Sequence, residues 1–287
     1  MTLREALAAA FHQLSDNPHL RDHAMEDAAY LLLHALEISR ASMIANYDRI
    51  LTAEELAAYQ RMIARRLGSE PLQYITGDCE FYSLPLRVNP AVLIPRPETE
   101  HLVETVLCEL DPTQALRIVD VGTGSGAIAI ALAANLPRAQ ITALDLSAAA
   151  LEVAAANART NGVAGRIRFL ESDLLAALSS ESALEPLGWD AIASNPPYVP
   201  AADRDSLHPQ VRDYEPSLAL FAGPSGLDVY RRLIPQARTA LKPNGLLALE
   251  IGFDQRDAIA ALLADWNGLR FIDDLQHIPR VAVARKP

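Results

Sequence analysis

The chain of 287 residues carries 36 acidic and 25 basic side chains, which gives a formal net charge of −11 at pH 7. Half of its residues are hydrophobic and 21% are charged, a composition typical of a folded globular protein and not of a disordered one. The acidic balance disfavours a nucleic-acid partner, because such binding draws much of its affinity from lysine and arginine contacts with phosphates. The length predicts two domains, or one large domain with an appendage.

The sequence contains no apolar run that approaches the roughly 18 residues of a membrane helix. Its first residues lack the apolar core and the cleavage site of a secretory signal, so we expect a cytoplasmic protein. The seven histidines form no recognised metal-binding spacing, and no metal is therefore expected.

Apolar residues recur at helical spacing through the N-terminal quarter of the chain. Thr52 followed by Glu55 forms a capping box, which predicts the start of the last helix in this region. We therefore predict a helical bundle domain over residues 1–70, a linker with a β-hairpin over residues 71–90, and a second domain over residues 91–287.

The second domain alternates strand and helix patterns. The predicted strands lie near residues 116–121, 140–144, 166–170, 189–194, 245–251, 269–274 and 280–285. The predicted helices lie at residues 125–135, 147–160, 226–241 and 254–265. Strands separated by helices predict an α/β fold with a mainly parallel, doubly wound sheet of seven strands. The last two strands have no helix between them, so we expect an antiparallel hairpin at one sheet edge.

A glycine-rich loop follows the first of these strands. Its residues are Gly122, Thr123, Gly124, Ser125 and Gly126. The carboxyl end of a strand is where doubly wound folds bind ligands, but the spacing GxGxG differs from the GxGxxG of dinucleotide-binding loops. The preceding Asp120 favours a cationic ligand.

Two further aspartates end the next strands. Asp145 lies 23 residues after Gly122, the distance at which a carboxylate reaches ribose hydroxyls. Asp173 ends the third strand, where a carboxylate can accept a hydrogen bond from an adenine amino group. NAD and S-adenosylmethionine both carry a ribose, so these residues leave the choice between them open.

The fourth strand leads into Asn195, Pro196, Pro197 and Tyr198. The two prolines stiffen the chain and lack N–H donors, so this rim presents carbonyl oxygens and an asparagine side chain. The Asn195 side-chain oxygen and the Pro196 carbonyl can each accept one hydrogen of a planar NH2 group, while Tyr198 packs on its flat face. The motif therefore predicts transfer to a planar nitrogen, and orientation alone can supply about 7 to 11 kcal/mol of acceleration.

Together these motifs resemble the class I S-adenosylmethionine-dependent methyltransferases that act on planar nitrogen. Other segments are similar to the release-factor glutamine methyltransferases, the HemK/PrmC family. These segments are PLQYITG at residues 71–77, EFY at 80–82, LIPRPETE at 93–100, YEP at 214–216, GLD at 226–228 and LEIG at 249–252. The resemblance covers nearly the whole chain and implies a Rossmann-like methyltransferase domain behind a helical domain that docks the substrate.

That family methylates the N5 side-chain amide nitrogen of the glutamine in the Gly-Gly-Gln motif of class 1 peptide chain release factors. The resemblance implies S-adenosyl-L-methionine as the methyl donor, release factors as partners, and a monomer that binds neither membrane nor nucleic acid. It implies cofactor binding by Gly122, Thr123, Gly124, Ser125, Gly126, Asp145, Asp173, Leu174 and Asn195. It implies catalysis by Asn195, Pro196 and Tyr198, with Pro197 also holding the substrate.

Several alternatives stay open at this point. The sister enzymes that modify ribosomal-protein glutamine usually carry a PRSP-like loop, whereas PRPET at residues 95–99 favours release factors. A DNA or RNA amino-methyltransferase uses the same NPPY motif, and a non-catalytic scaffold would leave that motif unexplained. Arg96 either contacts a cofactor carboxylate or braces its loop. Ser83 and His277 depart from the family, which commonly has glycine at both positions.

Overall fold

Contacts divide the chain into two compact units in the computed structural model, which describes residues 1–181 and 188–287. Unit 1 comprises Met1–Asp78 and Ser206–Tyr214, and unit 2 comprises Cys79–Asp205 and Glu215–Pro287. The predicted division near residue 70 does not include the return of Ser206–Tyr214 to unit 1. That segment is too short to carry a folding pattern of its own.

Helices and strands are numbered in chain order. The helices are α1 (Leu3–Ser15), α2 (Ala24–Leu36), α3 (Arg40–Ala45), α4 (Ala53–Leu67), α5 (Leu72–Thr76), α6 (Glu100–Glu109), α7 (Ala127–Asn135), α8 (Ala148–Thr160), α9 (Ala176–Glu181), α10 (Pro209–Arg212), α11 (Ser217–Leu220), α12 (Asp228–Ala240) and α13 (Arg256–Leu262). The strands are β1 (Asp78–Phe81), β2 (Leu84–Arg87), β3 (Arg117–Val121), β4 (Gln140–Asp145), β5 (Ile167–Glu171), β6 (Trp189–Ser194), β7 (Leu241–Glu250), β8 (Asn267–Asp273) and β9 (Pro279–Arg285). Among the described residues, no helix has the length and apolar character needed to cross a membrane.

Unit 1 is a helical bundle around one apolar core. Its helices bury leucines at helical spacing, and Tyr59 of α4 is buried among them with its hydroxyl donating to the main-chain oxygen of Ala28 at 2.9 Å. The predicted capping box at the start of α4 is confirmed. The Thr52 hydroxyl accepts from the Glu55 N–H at 3.2 Å, and the Glu55 carboxylate accepts from the Thr52 N–H at 2.9 Å.

The segment Ser206–Tyr214 joins unit 1 through polar contacts. The Arg66 guanidinium donates to Gln210 at 3.2 Å and to the carboxylate of Asp27 at 2.7 Å. The Tyr214 hydroxyl donates to the main-chain oxygen of Gly68 at 2.7 Å. Because Arg66 and Asp27 are both buried, the pair depends on these added hydrogen bonds to offset desolvation.

Unit 2 contains a seven-stranded sheet in the order β5-β4-β3-β6-β7-β9-β8. The first five strands of that order are parallel, and β9 runs antiparallel to both β7 and β8. Apolar clusters cover both faces of the sheet, which explains why its central strands are almost continuously hydrophobic. The predicted doubly wound α/β fold and its antiparallel edge hairpin are confirmed.

The strand order reverses between β3 and β6. The chain lays down β3, β4 and β5 in one direction and then returns to place β6 on the other side of β3. Val121, the last residue of β3, is in register with both Leu144 of β4 and Ser194 of β6. The loops that follow these strands therefore begin at the same sheet edge, where open α/β sheets bind ligands.

Candidate functional site

The glycine loop after β3 adopts a backbone that only glycine enters freely. The φ angles of Gly122, Gly124 and Gly126 are 73°, 56° and 85°. Gly126 also has no room for a side chain, because a Cβ there would lie 3.0 Å from Ile130 and 3.1 Å from Ala154. The three glycines thus allow β3 to turn directly into α7.

Open space borders this loop. A Cβ on Gly124 would meet no atom within 4 Å, and one on Gly122 would meet only the main-chain oxygen of Asn195 at 3.9 Å. The loop therefore leaves bare backbone facing a space that a ligand can fill, in front of the motif that follows β6.

Asp120 supports the loop from beneath. It is fully buried, and its Oδ2 accepts from the Thr123 hydroxyl at 2.6 Å and from the Ala129 N–H at 3.1 Å. Burial raises the pKa of Asp120 to about 7. The sequence interpretation had Asp120 favouring a cationic ligand, whereas the structure shows its carboxylate bracing the loop from the core.

Asp145 lies half-buried at the carboxyl end of β4. Its Oδ2 accepts from the Gly124 N–H at 2.8 Å, and its Oδ1 accepts from the Ser147 N–H at 2.9 Å. An ionised carboxylate offers about four acceptor sites, so both oxygens can accept a further hydrogen bond. The carboxylate is therefore fixed beside the loop and keeps capacity for further hydrogen bonds.

Asp173 and Leu174 follow β5 at the next position along the edge. The Asp173 carboxylate is half-exposed and pairs with the guanidinium of Arg232 at 2.5 Å. Leu174 has a left-handed backbone with φ of 53°, a conformation that costs a branched residue energy and is common beside ligands. The structure therefore places both residues near the edge but engages Asp173 in an ion pair that the sequence did not indicate.

The NPPY motif follows β6 on the other side of β3. The Ser194 hydroxyl donates to the main-chain oxygen of Val121 at 2.7 Å, which ties the ends of the two strands together. The Asn195 side-chain Nδ2 donates to the Thr99 hydroxyl oxygen at 3.1 Å. Among the described residues, no donor bonds to Asn195 Oδ1 or to the Pro196 carbonyl oxygen. Both oxygens are thus left without a donor from the described residues.

Tyr198 is fixed by its neighbours. The Gln255 side-chain amide donates to the Tyr198 carbonyl at 3.0 Å, and a Cβ on Gly226 would lie only 2.2 Å from that oxygen. Burial raises the pKa of Tyr198, so its phenol stays protonated at neutral pH and can donate a hydrogen bond. These contacts fix the main chain at Tyr198, and its partly buried side chain packs against one of the apolar clusters of unit 2.

Other residues support the site, and sequence reasoning assigned a role to none of them except Arg96, for which it left two roles open. Asn157 is fully buried and its Nδ2 donates to the main-chain oxygen of Ser125 at 2.9 Å. The Arg96 guanidinium donates to the buried Glu215 carboxylate at 2.5 Å, so Arg96 braces its loop. Thr99 and Glu250 stand within motifs that carried the family resemblance, which was the only sequence signal for them. In the part of the chain that the structure describes, no cluster of three or more potential ligands is arranged to hold a metal.

Two family models match the chain. The model of the PrmC N-terminal domain matches residues 5–77, and the model of the methyltransferase small domain matches residues 99–209.

Two solved structures share the fold of this chain at low identity. The T. thermophilus 16S rRNA N2 G1207 methyltransferase, in complex with AdoMet and guanosine, matches with a TM-score of 0.53 and 19% identity. The match covers 73% of this chain and 50% of that one. The human Mettl16 catalytic domain has a TM-score of 0.54 and 16% identity and covers 71% of this chain and 76% of its own.

Curated relatives match over nearly their whole length. The release factor glutamine methyltransferase of Koribacter versatilis is 45% identical over 100% of this chain and 99% of its own length. Those of Moorella thermoacetica and Caulobacter vibrioides are 46% and 38% identical, over 91% and 100% of this chain and 89% and 97% of their own lengths. With these relatives and with the two domain models in the predicted order, the chain belongs to the release factor glutamine methyltransferase family.

Proposed function

We propose that this protein transfers a methyl group from S-adenosyl-L-methionine to the N5 side-chain amide nitrogen of the glutamine in the Gly-Gly-Gln motif of class 1 release factors. The observation that carries the proposal is a pair of oxygens beside the glycine loop, Asn195 Oδ1 and the Pro196 carbonyl. No donor among the described residues bonds to either of them. Relatives of the same length that are named for this reaction support the choice of substrate.

The glycine loop and the aspartates after β4 and β5 are proposed to hold the cofactor. The bare backbone of Gly122 and Gly124 faces the open space, and Asp145 offers the carboxylate that ribose hydroxyls require. The rest of the proposed cofactor-binding set is Thr123, Ser125, Gly126, Asp173, Leu174 and Asn195. When bound there, S-adenosylmethionine supplies a methyl group made electrophilic by a positively charged sulfur.

The NPPY motif is proposed to hold the glutamine. Asn195 Oδ1 and the Pro196 carbonyl each accept one hydrogen of the substrate NH2 group. Pro197 and Tyr198 pack on the flat face of that group. Fixing both hydrogens directs the nitrogen lone pair out of the rim toward the methyl group. An amide nitrogen is a weak nucleophile, so this orientation is the main contribution that the motif can make.

Unit 1 is proposed to dock the release factor, a role supported by the match to the PrmC N-terminal domain. Because translation termination takes place in the cytoplasm, the proposal places the protein there, acting as a monomer.

A second candidate function is methylation of an exocyclic amine in nucleic acid. NPPY suits such amines equally well, but the net charge of −11 opposes binding to a phosphate backbone. The likeness to the rRNA methyltransferase, at 19% identity, is one of fold alone and does not indicate a shared substrate.

One experiment separates these functions. The protein is incubated with S-adenosylmethionine labelled in the methyl group and with a class 1 release factor, total RNA, duplex DNA, or no acceptor. We expect label in the release factor alone, and mass spectrometry should place it on the glutamine of Gly-Gly-Gln. A release factor with that glutamine replaced by alanine serves as the acceptor control. Label in nucleic acid, or at another residue, contradicts the proposal.

A variant of the protein tests the role of the rim. Asn195→Ala removes an acceptor for the substrate NH2 group, so we expect turnover to fall at least a hundredfold. The Kd for S-adenosylmethionine should rise by no more than about fivefold, because Asn195 is only one member of the proposed cofactor-binding set. Asn135→Ala is the matched control, because Asn135 is an exposed asparagine at the end of α7. Single-turnover methyl transfer near the wild-type rate in Asn195→Ala shows that the amide is held by other groups.

A further inference from the structure

The side-chain amide of Asn195 can present its oxygen to the substrate only if its nitrogen points elsewhere. Oxygen and nitrogen exchange places on a half rotation, and the flipped amide would offer N–H groups to a substrate that itself has only N–H groups to offer. The contact that decides between the two is the 3.1 Å hydrogen bond from Nδ2 to the Thr99 hydroxyl. The role of Asn195 therefore depends on Thr99 acting as an acceptor.

A threonine hydroxyl can also donate, so its own hydrogen must be engaged elsewhere. Thr99 is 4% exposed, which keeps water from taking that hydrogen. The Thr99 and Tyr198 hydroxyls lie close to the carboxylate of Glu250, at the end of β7, and lower its pKa by hydrogen bonding to it. An ionised carboxylate can only accept, so both hydroxyls must donate to it.

Glu250 is suited to this task by its surroundings. Its side chain is 2% exposed, and among the described residues its Oε2 has no hydrogen-bond partner. The main chain at this point is anchored, because the buried Tyr230 hydroxyl donates to the Glu250 carbonyl at 2.7 Å. A buried carboxylate with an unused oxygen costs stability, and the reaction gives a reason to keep it.

We propose that Thr99 and Glu250 are positioning residues, which together hold the Asn195 amide with its oxygen toward the substrate nitrogen. This inference rests on the proposed transfer to a glutamine amide. The direction of each hydrogen bond follows from the carboxylate: Thr99 and Tyr198 donate to it, and the Thr99 oxygen is left to accept from Asn195.

Protonation of Glu250 would leave the direction of these hydrogen bonds undetermined, because a neutral carboxyl group can also donate. The Thr99 hydroxyl would then be free to turn its hydrogen toward Asn195. Burial, together with the nearby Glu98 carboxylate, raises the pKa of Glu250 to about 7, even though the hydroxyls of Thr99 and Tyr198 and the Arg280 guanidinium lower it. The buried Tyr230 phenol also faces this group and stays neutral. Methyl transfer should therefore rise with pH as Glu250 ionises.

The first test compares three variants with wild type in single-turnover transfer to an intact release factor. Thr99→Val keeps the shape but loses the hydroxyl, and we expect the rate to fall at least tenfold with the Kd for S-adenosylmethionine within about twofold of wild type. Thr99→Ser should stay within about threefold of wild type. Thr105→Val is the matched control, because Thr105 is also buried but bonds only to its own helix, and it should change neither quantity.

The second test is the pH profile between pH 6 and 8.5. The wild-type rate should rise with pH, and Glu250→Gln, which cannot ionise, should show a flatter profile. The side-chain NH2 resonances of Asn195, followed by NMR without substrate, should shift with pH near 7 in wild type and not in Glu250→Gln. Thr99→Val should move these resonances at every pH.

The outcomes separate the inference from the function on which it rests. Failure of wild type to methylate a release factor overturns the proposed function, while the NMR titration still reports on Thr99 and Glu250. Three results would overturn the positioning role. They are a wild-type rate in Thr99→Val, equal losses of rate in Thr99→Val and Thr99→Ser, and Asn195 resonances that shift with pH in Glu250→Gln as they do in wild type.

Discussion

Asp145 is the residue on which cofactor affinity should depend most directly. Its carboxylate holds the Gly124 N–H at 2.8 Å and keeps acceptor sites for ribose hydroxyls. Hydrogen bonds to a charged group contribute about 1.5 to 3 kcal/mol, so Asp145→Ala should raise the Kd for S-adenosylmethionine at least tenfold in a calorimetric titration. Asp257→Ala, at an exposed aspartate of α13, is the control and should leave the Kd unchanged.

Circular dichroism should show that the Asp145→Ala variant stays folded, since the substitution also releases the loop N–H. An unchanged Kd in the folded variant would remove Asp145 from the site. Tighter binding of NAD than of S-adenosylmethionine by wild type would instead remove the methyl donor from the proposal.

The β1–β2 hairpin shows how Ser83, one of the two departures from the family sequence, is accommodated in an element. Tyr82 and Ser83 connect its strands with φ angles of 51° and 60°, the values that a type I′ turn requires at both central positions. His277, the other departure, likewise has φ of 61°. The backbone thus keeps the left-handed conformation that glycine enters freely, at a cost of about 1 to 2 kcal/mol for each L-residue.

Ser83→Gly should therefore stabilise unit 2. The gain from relieving the left-handed serine is partly offset by the greater chain entropy of glycine, so we expect the free energy of unfolding to rise by about 0.5 to 1 kcal/mol. Urea unfolding followed by tryptophan fluorescence measures it, because both tryptophans, Trp189 and Trp266, belong to unit 2. Ser83→Ala keeps the Cβ and should give no gain; an equal gain from both variants would rule out backbone strain as the cause.

The elements were predictable where their signal is local. Alternating helix and strand periods placed the strands of the sheet within a few residues, and glycine spacing placed the loop after β3. Thr99 and Glu250 were not given roles, because their significance lies in a contact between residues 151 positions apart in the sequence. Asp120 was misread for the same reason: an aspartate beside a glycine loop does not reveal whether its carboxylate faces the ligand or the core.

The free energy of unfolding of the whole protein should depend on pH through its buried carboxyl groups. The pKa of Asp120 is raised by burial to about 7 from an ordinary value of 3.8. Between these values the folded state binds a proton that the unfolded state has lost, so the free energy of unfolding falls as pH rises from about 4 through about 7 and then levels off. Glu250 and Glu215, whose pKa values burial also raises, act in the same direction.

Asp120→Asn tests this dependence, because asparagine mimics the neutral acid at every pH. Relative to wild type, the variant should gain on the order of 1 to 2 kcal/mol in free energy of unfolding between pH 5.5 and pH 8.0. Urea unfolding monitored by tryptophan fluorescence at the two pH values gives the difference, and the contributions of Glu250 and Glu215 cancel in it. A difference that stays constant with pH would mean that Asp120 is ionised throughout.

Substrate recognition is the property that involves the largest part of the chain. The NPPY rim offers a single glutamine only two acceptors and one aromatic ring, which bury too little surface to offset the entropy of association. Deleting Met1–Asp78 is a poor test of a wider contact, because Ser206–Tyr214, the rest of unit 1, would lose its partners Arg66 and Gly68. The intact protein offers a cleaner test, in which the substrate is varied instead.

An intact class 1 release factor should be methylated with a kcat/KM at least a hundredfold above that of a short Gly-Gly-Gln peptide, since only the factor can use binding energy away from the rim. The two glycines let the loop enter without side-chain clashes in both substrates, so entry into the rim does not distinguish them. A release factor ending its motif in Gly-Gly-Ala should inhibit methylation of the peptide at micromolar concentration, whereas a Gly-Gly-Ala peptide should not. Equal kcat/KM values for factor and peptide, or equal inhibition by the two alanine forms, would confine recognition to the rim and leave unit 1 without a part in it.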